Sequence, residues 1–460
     1  MVDNLTEMLE RAREAQKTVE YWSQEQVDEM VAAVGWEAYK EENARQCAKL
    51  AVEETGMGVV ENKFLKQRKK TLGTLRDLHG LKTTGIVEED RDRGIMKIAK
   101  PVGVIGVLAP VTNCTSTPSM NALAILKTRN AAIFAPHPMS RRASALAVSF
   151  MRRGLGRIGA PVDLLQCLSR PTKELSQQLI SAVDLVLATG GTEAVKAAYS
   201  SGKPAYGVGQ GNATVVIDET ADIEDAAKKV FLGKTFDHGS SCSAENSLVV
   251  QENIWDEVLG ALKRNGGYLC NSEEKARMQD VMWANGRLNF KLAATSALNI
   301  ATAAGLTMPD DTKFLMVLGE KIGQEDPFSG EKLSPVLALW KYREFGEAVD
   351  LVEKITRFCG YGHSCGIHSF DEAHILELAT KTHVGRMMVR QPQSYGNSGD
   401  YTNGMPFSLS LGCGSWGGAI TSENITWKHF LNYTWVSKPI DPVIPNEDLI
   451  FGDHWKKFGK

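Results

Sequence analysis

Three features found in many proteins are missing from this sequence of 460 residues: a long apolar segment, an excess of charge of one sign and closely spaced cysteine pairs. The longest apolar run, Val102–Val111, contains glycines and a proline and is far shorter than the ~20 residues that cross a bilayer. The N-terminus also has no apolar stretch typical of a secretory signal, so we expect a cytoplasmic protein. Lys and Arg number 52 against 55 Asp and Glu, a net charge of −3, which predicts neither a nucleic-acid nor a membrane partner.

The 8 cysteines are scattered and include no CxxC pair. This distribution excludes a disulfide framework and a zinc-ribbon spacing, and it favours reduced thiols. A group of histidines and cysteines near the C-terminal third also matches no metal-binding motif, and we therefore predict no metal site. The members of that group are Cys359, His363, Cys365, His368, His374 and His383.

Helix and strand patterns alternate along most of the chain. Apolar residues recur at three- and four-residue steps before residue 84, which predicts helices. Gly85–Lys100 predicts a projecting hairpin of two short strands around a charged turn. Val102–Pro110 then has the continuous β-branched pattern of a buried parallel strand, and helices alternate with strands after it. This order predicts a doubly wound α/β sheet, followed by a second α/β layer of comparable size from about Val230.

Glycine-rich turns follow three of the predicted strands. The turn Thr189–Glu193 opens a helix, so its exposed N–H groups could bind a phosphate or a dinucleotide; a plain strand-to-helix connection is the alternative. The turn Gly207–Asn212 leads into a strand instead of a helix and is a weak dinucleotide fingerprint. The turn Gly412–Gly418 indicates close approach of the backbone to another element.

Cys242 differs from the other cysteines because it lies in a loop of small residues, Phe236–Glu245, before an apolar strand. A thiol in such a loop is accessible, and nearby backbone N–H donors are expected to lower its pKa and to stabilise an oxyanion. Most of the other cysteines fall in apolar or helical patterns, where cysteine acts as a small hydrophobic residue. The loop therefore predicts a nucleophile at Cys242, with a buried structural thiol as the alternative.

Five motifs occur in the order found in aldehyde dehydrogenases. They are PVGVIGVLAPVTN at 101–113, KTRNAAIFAPHP at 127–138, ATGGTEAV at 188–195, FDHGSSCSAE at 236–245 and EKLSPVLA at 331–338. Over nearly its whole length the chain resembles this family and, more narrowly, its CoA-acylating branch, which includes the aldehyde dehydrogenase half of bifunctional aldehyde–alcohol dehydrogenases. The resemblance implies an α/β fold with a Rossmann-type nucleotide-binding domain, an α/β catalytic domain and a β-stranded oligomerisation arm.

The resemblance also implies where these domains begin and end. The expected units are a nucleotide-binding domain at 1–84 and 101–235, a catalytic domain with Cys242 at 236–425, oligomerisation strands at 85–100 and 426–440, and a C-terminal extension at 441–460. Arm strands of this kind imply a homodimer or a dimer of dimers.

The resemblance assigns Cys242 as the nucleophile that attacks an aldehyde. The side-chain amide of Asn113 and the N–H of Cys242 are then expected to hold the oxygen of the thiohemiacetal. Hydride transfer to a nicotinamide coenzyme leaves an acyl thioester on the cysteine. Hydrolytic relatives activate water with the glutamate of an E-L-G-G-K motif, whereas the matching stretch here, Gly207–Gly211, has glycine at the glutamate's place. Coenzyme A is therefore the expected acyl acceptor, because a thiol is partly ionised at neutral pH.

The same resemblance places Glu331 near the nicotinamide ribose and gives His363 a role in proton transfer or in CoA positioning. Arg142 favours NADP over NAD, since an arginine there could pair with a 2′-phosphate. A solvated arginine that leaves the choice open is the alternative. The expected coenzyme-binding residues are Pro110, Thr112, His137, Ser140, Arg142, Gly190, Gly191, Thr192, Gly209, Glu331 and Pro335.

The substrate is predicted from segments that resemble those of family members acting on small anionic aldehydes, namely Gln391–Ser394, Gly396–Gly404 and the stretch SENITWKHFLNYTWVS. Sulfoacetaldehyde is the predicted substrate, with succinate semialdehyde and acetaldehyde as alternatives. An anionic tail requires a basic partner. Arg386 and Arg390 are the candidates, and a structural role for both is the alternative.

Two further interpretations of the resemblance stay open. The chain could be a nucleotide-binding member without turnover, in which Cys242 is a redox-sensitive thiol. It could also be a reductase of acyl phosphates, which shares the cysteine chemistry. Because all of the predicted catalytic residues are present together, we favour an enzyme.

Overall fold

The computed structural model describes residues 4–284 and 286–460, and its first elements are helices. They and the hairpin after them are α1 (Leu5–Val19), α2 (Gln24–Tyr39), α3 (Glu41–Thr55), α4 (Val60–Leu78), β1 (Gly85–Asp90) and β2 (Ile95–Pro101). Local capping explains their boundaries: Ser23 and Gln26 form a reciprocal capping box at the start of α2. Gly56 ends α3 in the left-handed conformation, at φ 69°. The predicted helices and hairpin are confirmed.

The first parallel sheet follows, with helices between its strands. Its elements are β3 (Val104–Ala109), α5 (Ser116–Lys127), β4 (Ala131–Pro136), α6 (Arg141–Arg157), β5 (Leu165–Cys167), α7 (Lys173–Ala182), β6 (Leu185–Thr189), α8 (Thr192–Tyr199) and β7 (Ala205–Val208). The spatial order is β5-β4-β3-β6-β7, so the direction of winding reverses between β3 and β6. Ligands of doubly wound folds bind beyond the carboxyl ends of the strands at such a point.

The second sheet is also parallel and lies after β7 in the chain. The elements of this region are β8 (Ala213–Ile217), α9 (Ile223–Thr235), β9 (Glu245–Gln251), α10 (Trp255–Arg264), β10 (Gly267–Leu269), α11 (Ser272–Met282), β11 (Trp283–Ala284), β12 (Arg287–Leu288), α12 (Ala297–Ala303), β13 (Phe314–Leu318), β14 (Val336–Tyr342), α13 (Phe345–Phe358), β15 (Cys365–His368), α14 (Glu372–Lys381), β16 (Met387–Val389) and α15 (Gln393–Gly396). The order of this sheet is β10-β13-β14-β9-β8-β15-β16, and β11 and β12 form a separate two-stranded sheet. Two sheets with alternating helices confirm the predicted α/β class.

The predicted start of the catalytic domain at residue 236 needs correction. Strand β8 pairs with β9 and with β15, so β8 and α9 belong to the second sheet. The change of sheet lies in the glycine-rich turn between Val208 and Ala213. Both β7 and β8 are short buried strands, and their residues alone do not reveal which sheet each strand joins.

The hairpin is completed by β17 (Leu431–Ser437), which pairs antiparallel with β2. We call β1, β2 and β17 the arm sheet. It exposes large apolar side chains, including Trp435 at 60% of its surface. The chain then ends in α16 (Glu447–Phe458), none of whose residues is buried, so the predicted C-terminal extension contains an exposed helix.

Each sheet has its own apolar core. The first sheet packs against the N-terminal helices around residues such as Phe134 and Leu187. The second sheet packs on both of its faces, around residues such as Phe328 and Phe314. In the part of the chain that the structure describes, no helix is both long and apolar enough to cross a membrane.

Candidate active site

A cavity of about 1300 Å³ lies where the carboxyl ends of the first sheet face the loops of the second sheet. This volume exceeds the ~300–1000 Å³ of typical small-molecule sites and can hold a dinucleotide. Most of the predicted site residues line it: Pro110, Thr112, Asn113, His137, Gly190, Gly191, Thr192, Gly209, Cys242 and Glu331. The fold thus brings together residues that are far apart in the sequence.

One side of the cavity, the coenzyme wall, is built from the loops after β3, β4 and β6. Its residues are Pro110, Thr112, His137, Gly190, Gly191 and Thr192. Helix α8 begins at Thr192 after an N-cap glycine that makes no side-chain hydrogen bond, so the first N–H groups of the helix have no side-chain cap. Burial lowers the pKa of His137, which favours its neutral form. Such a wall fits the pyrophosphate of a dinucleotide.

Three predicted coenzyme-binding residues do not line the cavity. Ser140 is buried, and its hydroxyl donates to the carbonyl of His137 at 3.3 Å. Arg142 is exposed, with its guanidinium 3.7 Å from Glu53. Pro335 lies at the start of β14, where its carbonyl accepts a hydrogen bond from Leu315 N at 2.8 Å. Their places differ from the predicted direct contacts because local hydrogen bonds and sheet pairing hold them outside the cavity wall.

The opposite side, the nucleophile wall, consists of Asn113, Gly209, Cys242 and Glu331. Cys242 follows a short 3₁₀ turn, Phe236–Gly239, and precedes β9. The glycine-rich turn Gly207–Asn212 lies directly against it, since a Cβ added at Gly211 would be 1.7 Å from the carbonyl oxygen of Cys242. Only glycine allows the two backbones to approach this closely.

The third glycine-rich turn reaches the same region. A Cβ at Gly362 would lie 1.8 Å from the carbonyl oxygen of Cys413, and one at Gly209 would lie 4.0 Å from Cys413 Sγ. The predicted close approach of the Gly412–Gly418 backbone to another element is therefore confirmed.

The pKa of Cys242 is shifted in the direction opposite to the expectation. Burial, followed by the negative charge of Glu331, raises the pKa of the thiol to about 12, whereas the positive charge of Arg386 opposes this shift. The expected lowering is therefore wrong: the small residues of the loop let other segments pack around the sulfur, and the thiolate loses more hydration than the backbone donors replace.

Glu331 is half-buried in this wall, like Cys242. The N–H of Gly211 donates to its Oε1 at 3.2 Å. Burial raises the pKa of Glu331 to about 8, so most of its population is protonated at neutral pH. The nucleophile wall therefore contains a neutral thiol beside a largely neutral carboxyl group.

His363 lies next to this wall but does not line the cavity. Its Nδ1 is 2.9 Å from the hydroxyl of Ser364, and its buried Nε2 has no hydrogen-bond partner among the described residues. Burial, with the charge of Arg386, lowers the pKa of His363 to about 3. The ring is consequently neutral at physiological pH.

Neither predicted substrate-binding arginine lines the cavity. Arg386 is buried, and its guanidinium donates to the carbonyls of His363 and Ser422, each at 2.9 Å, and of Gly412. Arg390 donates to the carbonyl of Ser369 and stacks on an exposed phenylalanine. This corrects the predicted direct contact with substrate. Both guanidinium groups donate hydrogen bonds to backbone carbonyls, so both arginines have the structural role that was the alternative.

Histidines of the group at residues 359–383 pair with different carboxylates instead of converging on one site. His374 Nδ1 lies 2.9 Å from Asp218, and His383 Nδ1 lies 2.9 Å from Glu353. Within the described ranges, Asp218, Glu219 and His374 are the set whose ligand atoms lie within 4.8 Å of one another. His374 also stacks on Phe345 at 3.8 Å, which gives it a packing role.

Sequence reasoning missed a buried charged cluster beside Asn113, formed by Lys63, Lys66 and Asp237. The lysines of α4 recur at helical spacing, and Lys63, Lys66 and Lys70 are all buried. A buried helix face rich in lysine is unusual. The spacing of these lysines on the predicted helix was therefore the signal that could have revealed the cluster.

The comparisons with known proteins agree with this geometry. A sequence model described as "Aldehyde dehydrogenase family" matches residues 2–268. A sulfoacetaldehyde dehydrogenase of an Acholeplasma species is 48% identical over 98% of this chain and 94% of its own. An acylating sulfoacetaldehyde dehydrogenase of Bilophila wadsworthia is 43% identical over 99% of both chains. An acetylating succinate-semialdehyde dehydrogenase of Clostridium kluyveri is 39% identical over 93% and 94%.

Solved structures extend the same comparison. An acetylating aldehyde dehydrogenase from Geobacillus thermoglucosidasius matches with a TM-score of 0.93 and 39% identity, over 96% of this chain and 98% of its own. A Rhodopseudomonas palustris propionaldehyde dehydrogenase with bound propionyl-CoA matches at 0.84 and 28%, over 95% of each chain. An engineered glycolyl-CoA reductase with bound NADP+ matches at 0.84 and 27%, over 95% and 97%.

These matches confirm the predicted fold and the predicted enzyme class, an oxidoreductase. They cover nearly the whole chain, and the full-length relatives carry acylating activities in their names. The chain therefore belongs to the aldehyde dehydrogenase family, and within it to the acylating members.

Proposed function

We propose that this protein oxidises sulfoacetaldehyde with NAD(P)+ and transfers the sulfoacetyl group to coenzyme A. The observation that carries the proposal is the convergence of Asn113, Cys242 and Glu331 in one wall of a cavity whose other wall suits a dinucleotide. The substrate rests on two relatives named for sulfoacetaldehyde, which match this chain over nearly its full length.

The reaction begins with attack of the Cys242 sulfur on the aldehyde carbon. The carbonyl oxygen becomes a negatively charged alkoxide, and the side-chain amide of Asn113 together with the N–H of Cys242 donates to it. Removal of one such donor typically costs about 100- to 1000-fold in rate. The thiol must lose its proton first, and its pKa of about 12 makes this a demanding step at neutral pH.

The nicotinamide coenzyme supplies the hydride acceptor when it is bound. Gly190, Gly191 and Thr192 would hold its pyrophosphate at the start of α8, where no side chain caps the helix. Glu331 would hold the nicotinamide ribose, because its carboxyl group lies in the cavity wall near the nucleophile. Loss of hydride from the alkoxide leaves an acyl thioester on Cys242.

Coenzyme A is the proposed acyl acceptor because the base that activates water in hydrolytic relatives has no room here. A Cβ at Gly207 would lie 2.6 Å from Val195 and 2.7 Å from Tyr199. The ring of Tyr199 fills this space, and its hydroxyl accepts a hydrogen bond from Gly207 N at 2.8 Å. A thiol with a pKa of about 8.5 needs less help than water, so thioester exchange is the faster route.

The test is an assay of the purified protein with aldehyde, CoA and NAD+ or NADP+. We expect CoA-dependent formation of NAD(P)H, sulfoacetyl-CoA detected by mass spectrometry, and no turnover in Cys242→Ala. Free sulfoacetate as the main product in the presence of CoA would contradict the acyl-transfer step. A higher kcat/KM with succinate semialdehyde or acetaldehyde would contradict the substrate, and turnover with phosphate in place of CoA would favour acyl phosphate chemistry.

Self-association through the arm sheet is part of the proposal. Tyr433 and Trp435 of β17 are exposed at 39% and 60%, and exposed apolar side chains on a projecting sheet commonly mark an interface. We expect a homodimer or a dimer of dimers. Light scattering of the wild type and of Trp435→Lys checks this: the variant should shift toward monomer, and a monomeric wild type would contradict the proposal.

A further inference from the structure

The buried charged cluster beside the cavity connects α4, the loop of Asn113 and the loop of the nucleophile. Lys66 Nζ donates to Asn113 Oδ1 and to Asp237 Oδ2, each at 2.9 Å. Lys63 Nζ donates to the same oxygen of Asp237 at 3.0 Å and to the carbonyl of Thr112 at 3.1 Å. All of these bonds lie behind the wall: Asn113 lines the cavity, whereas neither lysine does in the described chain.

Asp237 fixes the position of this cluster. Its Oδ1 accepts from Val59 N at 2.9 Å, and its Oδ2 accepts from the Ser240 hydroxyl at 2.8 Å. The residue adopts φ 52°, which non-glycine residues rarely do, so its surroundings must hold it there. Although burial opposes the shift, the ammonium groups of Lys66 and Lys63 lower the pKa of Asp237 to about 2. The carboxylate is therefore charged whenever the enzyme is folded near neutral pH.

The bond from Lys66 determines which way the Asn113 amide faces. A side-chain amide has a carbonyl oxygen on one branch and an NH₂ group on the other. An ammonium group can only donate, so it fixes the Asn113 oxygen on its own side and turns the NH₂ group away from itself. Charge-assisted hydrogen bonds are also stronger than neutral ones. Without Lys66, the amide could rotate and present its oxygen to the alkoxide, which would repel the developing negative charge.

We propose that Lys66 is a positioning residue for the oxyanion donor: it holds the Asn113 amide with its NH₂ group directed toward the reacting oxygen, and Asp237 holds Lys66 in place. The inference rests on the proposed function, because Asn113 has to be the oxyanion donor for its orientation to matter. Lys66 acts through Asn113, since its own side chain does not line the cavity.

A double-mutant cycle tests this inference, with kcat and KM measured for both sulfoacetaldehyde and acetaldehyde. We expect Asn113→Ala to lower kcat by about 100- to 1000-fold. Lys66→Met should lower kcat by about 10- to 100-fold for both aldehydes with little change in KM, because a misplaced group costs rate more than binding. The double variant should be no slower than Asn113→Ala alone, because Lys66 has nothing left to orient.

Two controls separate this role from a structural one. Lys69→Met removes a lysine of the same helix that pairs with Asp400 instead of Asn113, and its kcat should match the wild type. Lys66→Arg keeps a cationic donor and should recover most of the kcat lost in Lys66→Met. If Lys66→Met does not fold, Lys66→Arg replaces it in the double-mutant cycle with Asn113→Ala.

Three results would overturn the inference. If the losses of the single variants multiply in the double variant, Lys66 acts independently of Asn113. If Lys66→Met raises KM for sulfoacetaldehyde but leaves acetaldehyde unaffected, Lys66 binds the substrate anion directly. If Asn113→Ala keeps wild-type kcat, the oxyanion assignment in the proposed function fails and this inference fails with it; the first two results leave that assignment intact.

Discussion

The coenzyme wall and the nucleophile wall of the cavity are built from different parts of the chain. The coenzyme wall uses backbone groups and short loops after β3, β4 and β6, and burial there shifts His137 toward its neutral form. The nucleophile wall depends on half-buried side chains, whose loss of hydration raises the pKa of Cys242 to about 12 and that of Glu331 to about 8. Close behind it lie Lys66 and Asp237.

In the proposed function the two walls have different tasks, and this difference follows from those tasks. A pyrophosphate already carries its charge, so N–H groups at a helix start suffice to bind it. The nucleophile wall must stabilise a charge that appears only during the reaction, and fixed donors in a dry site do this best. Buried ionisable groups and perturbed pKa values therefore gather on the nucleophile side.

Substitution of Gly211 should produce the largest loss of kcat, because it disrupts the contact between the turn Gly207–Asn212 and the loop that carries Cys242. In Gly211→Ala the new Cβ would meet the carbonyl oxygen of Cys242 at 1.7 Å, so the loop must move. We expect kcat to fall by at least about 100-fold and the free energy of unfolding to drop by about 1–3 kcal/mol. Gly346→Ala is the control, since nothing lies within 4 Å of its Cβ. Wild-type kcat in Gly211→Ala would show that the loop adapts.

An effect of intermediate size is expected on the reactivity of the Cys242 thiol, which depends on the charge of Glu331. Glu331 gains its negative charge as the pH rises through about 8, and that charge raises the pKa of Cys242. Glu331→Gln should therefore react with iodoacetamide about 10-fold faster than the wild type above this pH, the equivalent of one pKa unit. Below it the two proteins should react alike. Equal rates at all pH values would contradict the coupling.

The smallest effect should come from Arg142, which lies outside the coenzyme wall. We propose that Arg142 favours NADP, because its pairing with the exposed Glu53 at 3.7 Å is weak and a 2′-phosphate could replace it. The N–H of Arg142 already donates to Glu54 at 2.9 Å, so only the guanidinium is available. Arg142→Ala should lower the NADP-to-NAD ratio of kcat/KM by about fivefold. Arg343→Ala is the matched control, because Arg343 is an exposed arginine that pairs with Glu252 and does not line the cavity. An unchanged ratio in Arg142→Ala would favour the solvated alternative.

Local signals in the sequence were sufficient for most of the elements and for the glycine-rich turn that lines the cavity. Apolar periodicity predicted the helices before residue 84, and a glycine-rich turn before a helix predicted Gly190 and Gly191. Cys242 was recognisable because its neighbours are small. Each of these signals lies within a few residues of the feature that it predicts.

Contacts between distant segments account for the predictions that failed. Arg386 and Arg390 looked available for an anion, but carbonyls of residues brought close by the fold occupy their guanidinium groups. The pKa of Cys242 was expected to fall, yet packing around the loop raises it. The sheet that β8 joins depends on its pairing with β15, about 150 residues later in the chain.

The sequence by itself determined the α/β class and the family and led to the prediction of Cys242 as nucleophile, because alternating patterns, ordered motifs and small neighbouring residues can all be recognised along the chain. Only the tertiary structure decided the protonation of Cys242 and Glu331, the structural role of Arg386 and the connection of Lys66 to Asn113. These properties depend on burial and on hydrogen bonds between residues up to 171 positions apart, and the folded chain alone brings such groups together.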